Sequence, residues 1–550
     1  MRRRAAAPRI LASVVAAAAA ASAAGGSLAE DRDLSLRDAI VLALRNSDDI
    51  DIQREAVAAA EAAVMGARGA YDPLLELQGG WRRATEPVNS PFSGAPAGQP
   101  APTIEIADAA ASVRQLLPTG GEVSLRAAAS RETTDSEFAL LSPSYATRVG
   151  VELRQPLLRN RGLDEARVTI RIAASDRSRE GAGLRQVLQD AVADVERAYW
   201  DLAAARRAVT VQEEAVRLAE EQLAETSVRI ENGVSPETEI AQPRAELERR
   251  RGELIAARET VSRAQNRLKL RILDDRDEEL WTEGLVPSEE MTAELQAVDV
   301  AESLRRALAE RPELAAAEAA IERRRAEASF AREGIRPALD AVVSYDRLGF
   351  AGSRNTGGDE VPGLPVVVPE GLEGGLGRSY ETLGEGEFDD ARASLVFGFP
   401  IGNRAARAAA LGARSAQRQA EADLARLRKA VRAEVLDAAA AIDTAGQRIQ
   451  AARAAREAAE VQLSSERDRY AAGLSTNFLV LTRQNDLSRA RLDEIAALTD
   501  YRTARAEMAR STGSLLAERG VDIEMEAGQD ERMDDDAPAE GSTRPGGRER

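Results

Sequence analysis

The stretch LQDAVADVERAYWDLAAARRAVTVQEEAVRLAEEQLAETSVRI (residues 188–230) has an apolar side chain at every seventh position. These positions are Leu188, Val195, Leu202, Val209, Val216, Leu223 and Ile230. A strict seven-residue repeat predicts a left-handed coiled coil. Small side chains lie three residues after several of them, which favours a closely approaching neighbour helix: Ala191, Ala198, Ala205 and Ala219. A helix from about Asp164 to Ile230 is roughly 100 Å long at 1.5 Å per residue.

The same apolar spacing resumes after a polar turn that contains Gly233 and Ser235. The residues that continue it are Ile240, Leu247, Leu254, Val261 and Leu268. Two long helices separated by a short turn predict an antiparallel helical hairpin. Each turn glycine is expected to adopt a positive φ, which lets the chain reverse.

The chain contains this arrangement twice. Gly233 and Gly473 lie 240 residues apart, and Pro73 and Pro337 lie 264 residues apart. Each copy reads as a short helix, strands, a very long helix, a glycine turn and a long helix. A repeat of this length predicts an internal tandem duplication of the kind found in membrane transport proteins.

Strands are predicted between the short and the long helix of each copy, because apolar and polar residues alternate there. Leu75, Leu77 and Trp81, for example, alternate with Glu76 and Gln78. The predicted strands are this run from Leu75, then 106–116, 123–130, 147–153, 339–348 and 393–399. Each is near the ~9–11 residues that a tilted transmembrane strand needs. The segments between them are predicted to be exposed loops: 84–103, 132–144 and 349–389.

Four to six strands cannot close into a membrane barrel, because the smallest such barrels have about 8. The chain is therefore expected to assemble as a ring in which each copy supplies part of a β-barrel and part of a helical tube. The predicted fold class is an α+β membrane protein with antiparallel α-helical hairpins forming an α-barrel and transmembrane strands contributing to a shared β-barrel.

Composition excludes several functional classes. The chain has no Cys and no His, so thiol nucleophiles and histidine-based zinc sites or general bases are absent. The formal charge of −18 makes nucleic acid an improbable partner. No nucleotide-binding glycine motif or nucleophile elbow occurs. We therefore predict that the protein is not an enzyme and uses no cofactor or metal.

The ends of the chain differ from its middle. Residues 1–29 have a basic start, an Ala-rich apolar run and small residues before a cleavage site, which predicts an export signal peptide. The two copies are assigned to 30–285 and 286–515. Residues 516–550 lose the apolar period and carry acidic residues, which predicts a disordered acidic tail.

Three short motifs carry a family resemblance. They are Gln-Pro-Leu-Leu at 155–158, Phe-Pro-Ile at 399–401 and Ala-Gly-Leu-Ser-Thr-Asn-Phe-Leu-Val-Leu at 472–481. With the repeated architecture from Leu34 to Leu515, they make the chain similar to the bacterial outer membrane efflux proteins, the TolC-like family. Pro156 and Pro400 mark the strand-to-helix joins in this comparison.

The resemblance implies a homotrimer with a 12-stranded barrel in outer membrane lipid and a periplasmic helical extension. It implies docking to a periplasmic adaptor and an inner membrane transporter. The function implied is a passive outer membrane channel of a tripartite efflux or type I secretion system. Four strands per chain would suffice, so the runs at 106–115 and 123–130 are two more than required. They could form extended loop hairpins or enlarge the barrel to six strands per chain. We favour four barrel strands with extra extracellular or rim β-structure.

The resemblance also places the functional end of the tube at the hairpin turns, where an adaptor would dock: Gly233, Ser235, Gly473 and Ser475. Family members have acidic gate residues after the second turn. Those positions fall here on Leu479 and Thr482, so that acidic ring is missing.

Glu237 and Glu239, after the first turn, are the alternative gate candidates. Carboxylate rings attract cations. Acidic residues also stabilise a helix N-terminus, which is the interpretation that we favour for both residues. For Leu479 we favour packing in the helical seam.

Two other protein classes stay open on sequence grounds. A periplasmic adaptor also has an export signal and a helical hairpin, but normally one hairpin rather than two tandem copies. A coiled-coil scaffold explains the heptads but not the alternating strands.

Overall fold

The computed structural model describes residues 31–85, 94–96, 99–233, 236–356 and 367–521. The chain divides into two compact units. One comprises Met1–Ser47, Leu188–Glu310 and Arg432–Arg550, and the other comprises Asp48–Val187 and Arg311–Val431. Each unit therefore takes segments from both predicted sequence copies. The repeat is a unit of sequence, whereas helices and strands from both copies pack together.

The described residues form eight strands and eleven α-helices. The strands are β1 (Asp31–Leu34), β2 (Leu74–Thr85), β3 (Thr103–Leu116), β4 (Glu122–Thr134), β5 (Leu141–Pro156), β6 (Gly284–Pro287), β7 (Ala338–Arg354) and β8 (Phe388–Gly398). The helices are α1 (Leu36–Asn46), α2 (Asp48–Arg68), α3 (Glu165–Glu231), α4 (Ala241–Ile272), α5 (Glu278–Thr282), α6 (Val300–Glu310), α7 (Pro312–Glu333), α8 (Leu376–Glu385), α9 (Arg404–Ala471), α10 (Asn477–Thr512) and α11 (Leu515–Glu518).

The second unit contains a six-stranded antiparallel sheet in the order β2-β3-β4-β5-β7-β8. All six predicted strands are present in it, and each is longer than predicted. The runs at 106–115 and 123–130 lie inside the sheet and pair with their neighbours along their length. They are therefore not a separate addition at the edge of the sheet, whereas their place relative to the membrane stays a prediction.

The two faces of this sheet differ in chemistry. Leu77 lies opposite Ala111, which lies opposite Ala127, which lies opposite Val149. One residue along, Glu76 lies opposite Ser112, followed by Arg126, Gly150 and Asp346 in the next strands. Side chains of Leu77, Trp81 and Leu395 are 73%, 69% and 70% exposed. The sheet therefore presents one apolar and one polar face to its surroundings.

The predicted loop at 349–389 contains regular structure. Strand β7 continues to Arg354, and α8 packs against β7 and β5. The contact is polar: the buried Thr147 hydroxyl donates to the carbonyl oxygen of Ser379 at 3.0 Å. Sequence reasoning looked for apolar packing and so missed a helix held by hydroxyl groups.

The first unit is organised around α3 and α10. Tyr199 is fully buried and donates its hydroxyl to the Leu34 carbonyl at 3.0 Å. Tyr501 donates in the same way to the Glu294 carbonyl at 2.6 Å. These bonds tie the long helices to β1 and to the segment after β6, so the tyrosines fix connections that the heptad pattern does not specify.

Burial along α3 departs from the predicted seam. Leu188, Val195 and Leu202 are buried, but Val209 and Val216 are half-buried. Farther along, the buried side chains are Gln212, Ala215, Leu218, Ala219, Gln222 and Thr226. An α-helix drifts by about 20° per heptad against a seven-residue repeat, so one seam does not stay buried along a helix of 67 residues.

The predicted disordered tail at 516–550 begins differently. Its first residues belong to α11, and Leu516 is buried. The Arg519 guanidinium pairs with Glu196, whose side chain is also buried. This ion pair, buried on the Glu196 side, and the burial of Leu516 explain why the chain is ordered there. Residues 522–550 and the predicted signal peptide at 1–29 lie outside the described residues.

Candidate functional site

The turn between α9 and α10 has the geometry of a helix C-cap. Gly473 has φ +75°, as expected from the sequence. The Gly473 amide donates to the Tyr470 carbonyl at 3.0 Å, and the Leu474 amide donates to the Arg469 carbonyl at 2.8 Å. This pair of bonds is a Schellman motif, which requires a left-handed residue at this position. The Ser475 hydroxyl donates to Glu466 and holds the turn to the end of α9.

The turn between α3 and α4 begins in the same way. Gly233 has φ +71°, and its amide donates to the Ile230 carbonyl at 2.9 Å. Ser235 lies outside the described residues. Glu237 and Glu239 are exposed and lie in a 3₁₀ turn, Glu237–Ile240, directly before α4. Their position agrees with a helix N-terminal role, since the free amides there favour negative charge.

A contact between the ends of α3 and α9 brings the two turns together. The Arg229 guanidinium carbon lies 4.6 Å from the centre of the Tyr470 ring. An Arg229 Nη1–H also donates to the Tyr470 carbonyl at 3.4 Å. Tyr470 packs in a buried cluster with Ala459, Leu463, Val480, Leu487 and Ala490. Arg229 and Arg469 occupy equivalent positions in the two copies, but their spacing in the sequence does not identify this cation–π contact.

The gate candidates of the second copy lie in the first turns of α10. Leu479 is 39% exposed, Phe478 is 60% exposed, and Thr482 donates its hydroxyl to the Phe478 carbonyl at 2.8 Å. Val480 and Leu481 are buried instead. Within one chain, Leu479 is thus partly exposed, and its packing in the helical seam stays a prediction. The helical repeat explains this, because Val480 occupies the inward-facing position.

The strand-to-helix joins lie at one end of the six-stranded sheet. Pro156 is the last residue of β5, and Pro400 follows β8 by two residues. The Leu157 amide still donates to the Leu339 carbonyl at 2.7 Å. The Asn403 side chain donates to the Ile335 carbonyl at 2.9 Å. Each join is thus fixed by a hydrogen bond to the segment entering β7.

A cavity of about 780 Å³ lies beside the first join. Its lining includes Gly120, Pro156 and Asp164, together with an ion pair in which Arg154 Nη2 lies 2.6 Å from Asp340 Oδ2. Among the described residues no group of three or more His, Cys, Asp or Glu is placed to hold a metal ion. None of the helices within the described ranges has the length and apolar character needed to cross a bilayer.

Paired long hairpins with adjoining turns and an amphipathic sheet with two open edges define the class of outer membrane channels. The outer membrane efflux protein family model matches residues 39–272 and 303–514 of this chain. The chain belongs to the outer membrane efflux protein family. The protein is an outer membrane efflux channel with a periplasmic helical part.

Solved structures share this fold at low sequence identity. A Pseudomonas aeruginosa membrane protein is 18% identical, with a TM-score of 0.59 over 87% of this chain and 90% of that one. The Campylobacter jejuni CmeC outer membrane channel is 15% identical, with a TM-score of 0.59 over 89% and 90%. The Neisseria gonorrhoeae MtrE outer membrane channel is 17% identical, with a TM-score of 0.58 over 89% and 91%. No curated protein sequence matches the chain.

Proposed function

We propose that three copies of this chain form the outer membrane channel of a tripartite efflux or type I secretion system. Substrates pass through it from an inner membrane transporter to the exterior, and the channel performs no chemistry on them. The observation that carries the proposal is the six-stranded sheet, whose terminal strands β2 and β8 each have one neighbour within the described chain. An unpaired strand edge in a membrane leaves backbone groups without hydrogen-bond partners. Pairing β8 of one copy with β2 of the next removes both edges.

The adaptor docks, in this proposal, at the surface formed by the two hairpin turns. Gly233 and Gly473 are exposed, and Leu474 is 80% exposed. The Arg229–Tyr470 contact fixes the two turns next to each other. Leu474 belongs to the second turn, and Phe478 close after it is 60% exposed, so this turn presents apolar surface that suits a protein partner.

The proposal is tested by deleting the gene and by purifying the protein with its neighbours. A tagged chain expressed at native level should recover a periplasmic adaptor and an inner membrane transporter after crosslinking. The deleted strain should become more sensitive to at least one toxic compound or fail to secrete a protein. An inner membrane location would instead favour the adaptor class, and a soluble single copy the scaffold class.

A further inference from the structure

The first copy of the duplication contains a β-hairpin that has no counterpart among the described residues of the second copy. In the second copy, β7 and β8 pair directly, from Ala338 opposite Gly398 to Leu348 opposite Phe388. In the first copy, β3 and β4 lie between the corresponding strands β2 and β5. Strand β2 pairs with β3 along its whole length, from Leu74 opposite Arg114 to Thr85 opposite Thr103. The hairpin is thus an insertion into the sheet rather than an addition at its edge.

The inserted strands carry the apolar face of their neighbours in register. Leu75 on β2 lies in one row with Val113, Leu125 and Val151. The row two residues along β2 contains Leu77, Ala111, Ala127 and Val149, and the following row contains Gly79, Ala109, Ala129 and Thr147. On β5 this third row ends in Thr147, which is buried beneath α8, and the next residue of β4 on the same face is Arg131. The shared apolar face is therefore confined to these rows. A hairpin that stood in water above the membrane would not need an apolar face in register with that of its neighbours. The same rows on β2 and β5 define the depth at which lipid is expected, so β3 and β4 cross that depth too.

The opposite face of the inserted strands is polar. Asp108, Ser112 and Arg114 on β3 alternate with the apolar residues, as do Ser124, Arg126 and Ser130 on β4. Alternation of this kind is typical of a strand with lipid on one side and an aqueous lumen on the other. The insertion therefore adds both to the outer surface and to the lining.

The turn of the inserted hairpin is fitted to the join between β5 and α3. The Thr119 hydroxyl donates to Gln155 Oε1 at 2.9 Å, and Gln155 Nε2 donates to the Thr119 carbonyl at 3.2 Å. Gly120 has φ +80°, and a Cβ there would lie 2.5 Å from the Asn160 carbonyl oxygen. Such close docking places the turn at the end of the sheet where the long helix begins. The hairpin therefore spans the sheet from this join to the opposite loops.

We infer that each copy contributes six strands to the shared membrane sheet, so that a closed trimer has three times six, or eighteen, strands. This inference rests on the proposed trimeric channel. The partner at each sheet edge is a second copy of this chain, with β8 (11 residues) pairing with a β2 of similar length (12 residues). The pairing continues the apolar face from Leu395 of one copy to Leu77 of the next.

The extra strands widen the membrane section. Barrel diameter grows roughly linearly with strand number, so eighteen strands give a backbone diameter of roughly 36 Å, against about 24 Å for twelve. Barrels of 16–18 strands leave an aqueous channel. The membrane section of this protein would therefore hold a wider aqueous channel than a twelve-stranded barrel.

Single cysteines test which side of the inserted strands meets lipid, because the native chain has none. Ala111→Cys and Ala127→Cys lie on the apolar face, and Ala110→Cys and Ala128→Cys lie one residue away on the polar face. These small substitutions are expected to leave the sheet intact. A heat-resistant trimer band in gel electrophoresis checks this. In the first experiment, the purified trimer in vesicles is treated with a water-soluble maleimide. In the second, the cysteine is labelled with a fluorophore in denaturant, the protein is refolded, and quenching of the fluorescence by brominated lipids is measured.

The inference predicts that the maleimide labels the cysteines at 110 and 128 but not those at 111 and 127. A fluorophore attached at 111 or 127 should be strongly quenched by the brominated lipids. Val149→Cys on β5 is the reference for the membrane sheet itself. If 111 and 127 react like 110 and 128 while position 149 is quenched by lipid, the six-strand inference is overturned and the channel proposal survives. If position 149 is also aqueous, the channel proposal fails with it. Electron cryomicroscopy of the trimer gives a direct count, and twelve strands would contradict the inference.

Discussion

At the scale of single residues, the helical turns depend on a conformation that most side chains disfavour. Gly473 has a positive φ, but a Cβ at this position would meet nothing within 4 Å. Substitution therefore acts through backbone strain alone. The positive φ could be predicted from sequence, because a glycine interrupts two long apolar repeats at the same place in both copies.

Gly473→Val is expected to weaken the turn by about 1–2 kcal/mol in each chain, since a β-branched residue is disfavoured in the left-handed region. We expect reduced adaptor capture and a lower yield of trimer. Gly473→Asn is the matched control, because asparagine tolerates this conformation and should retain docking. Equal adaptor capture by Gly473→Val and the native chain would show that the turn is not part of the docking surface.

Glu246 on α4 gives a pH-dependent contribution to stability. Burial alone would raise its pKa, but hydrogen bonds and charge from Arg249 and Arg250 outweigh burial and lower the pKa below 4.5. The Arg250 side chain is only 6% exposed and lies 2.9 Å from Glu246. Because the folded-state pKa lies below the unfolded value, the stabilisation is present at neutral pH. It is lost as the pH falls through the folded-state pKa.

Glu246→Gln should therefore reduce the free energy of unfolding by about 1.5–3 kcal/mol at neutral pH. The difference from the native protein should vanish in acid. Glu248→Gln is the control on the same helix, because Glu248 is 64% exposed and pairs with Arg251 at the surface, where such pairs contribute about 1 kcal/mol or less. Thermal melts monitored by circular dichroism at both pH values measure this. An acid-insensitive difference would refute the assignment.

Electrical recording tests whether Glu237 and Glu239 act as a gate. We expect the double variant Glu237→Gln, Glu239→Gln to keep the reversal potential in a salt gradient and to lose roughly 0.3–1 kcal/mol of stability per residue. Leu479→Asp is the matched comparison, since it places a carboxylate at a position that the family resemblance predicts to be acidic, and it should increase cation selectivity. A loss of cation selectivity in the double Gln variant would establish these glutamates as a gate.

At the scale of elements, α8 depends on a glycine in β7. A Cβ on Gly349 would lie 2.0 Å from the Ser379 carbonyl oxygen and 2.4 Å from the Thr147 hydroxyl. Helix α8 and strand β7 therefore approach more closely than a residue with a Cβ atom at position 349 would allow. This explains why α8 stays ordered although its buried residues, Ser379 and Thr382, are polar.

Gly349→Ala is expected to displace α8 and to expose the segment between β7 and β8 to protease added to intact cells. Gly377→Ala is the control within α8, where a Cβ meets nothing within 4 Å and alanine favours a helix. Proteolysis followed by mass spectrometry distinguishes them. Equal cleavage rates for both variants would mean that α8 is not held by this contact.

The elements could be predicted in unequal measure. Helix α3 was expected from about Asp164 to Ile230 and runs from Glu165 to Glu231, because a long heptad pattern is a strong signal. The runs of alternating apolar and polar residues located all six strands of the sheet. Strand pairing depends on residues far apart in sequence, so the pattern could not show that the six strands form one sheet. The Arg229–Tyr470 contact and the Thr147–Ser379 bond also join residues far apart in sequence. No local pattern identifies such pairs.

At the scale of the whole molecule, one described chain provides an amphipathic sheet with two open edges and two hairpins with adjoining turns. Neither compact unit coincides with one copy of the duplication, so both copies are needed to build each. The two repeats predicted from Gly233 and Gly473 are thus units of the sequence, and they do not correspond to the units in which the chain packs. In the proposed function, assembly of several copies is the step that turns these parts into a conduit.

The native mass of the protein extracted from the outer membrane tests the central claim most directly. Native mass spectrometry from detergent micelles should give three times the mass of the mature chain, and the same sample should conduct ions when reconstituted in planar lipid bilayers. A stable, water-soluble single copy without conductance would contradict the account.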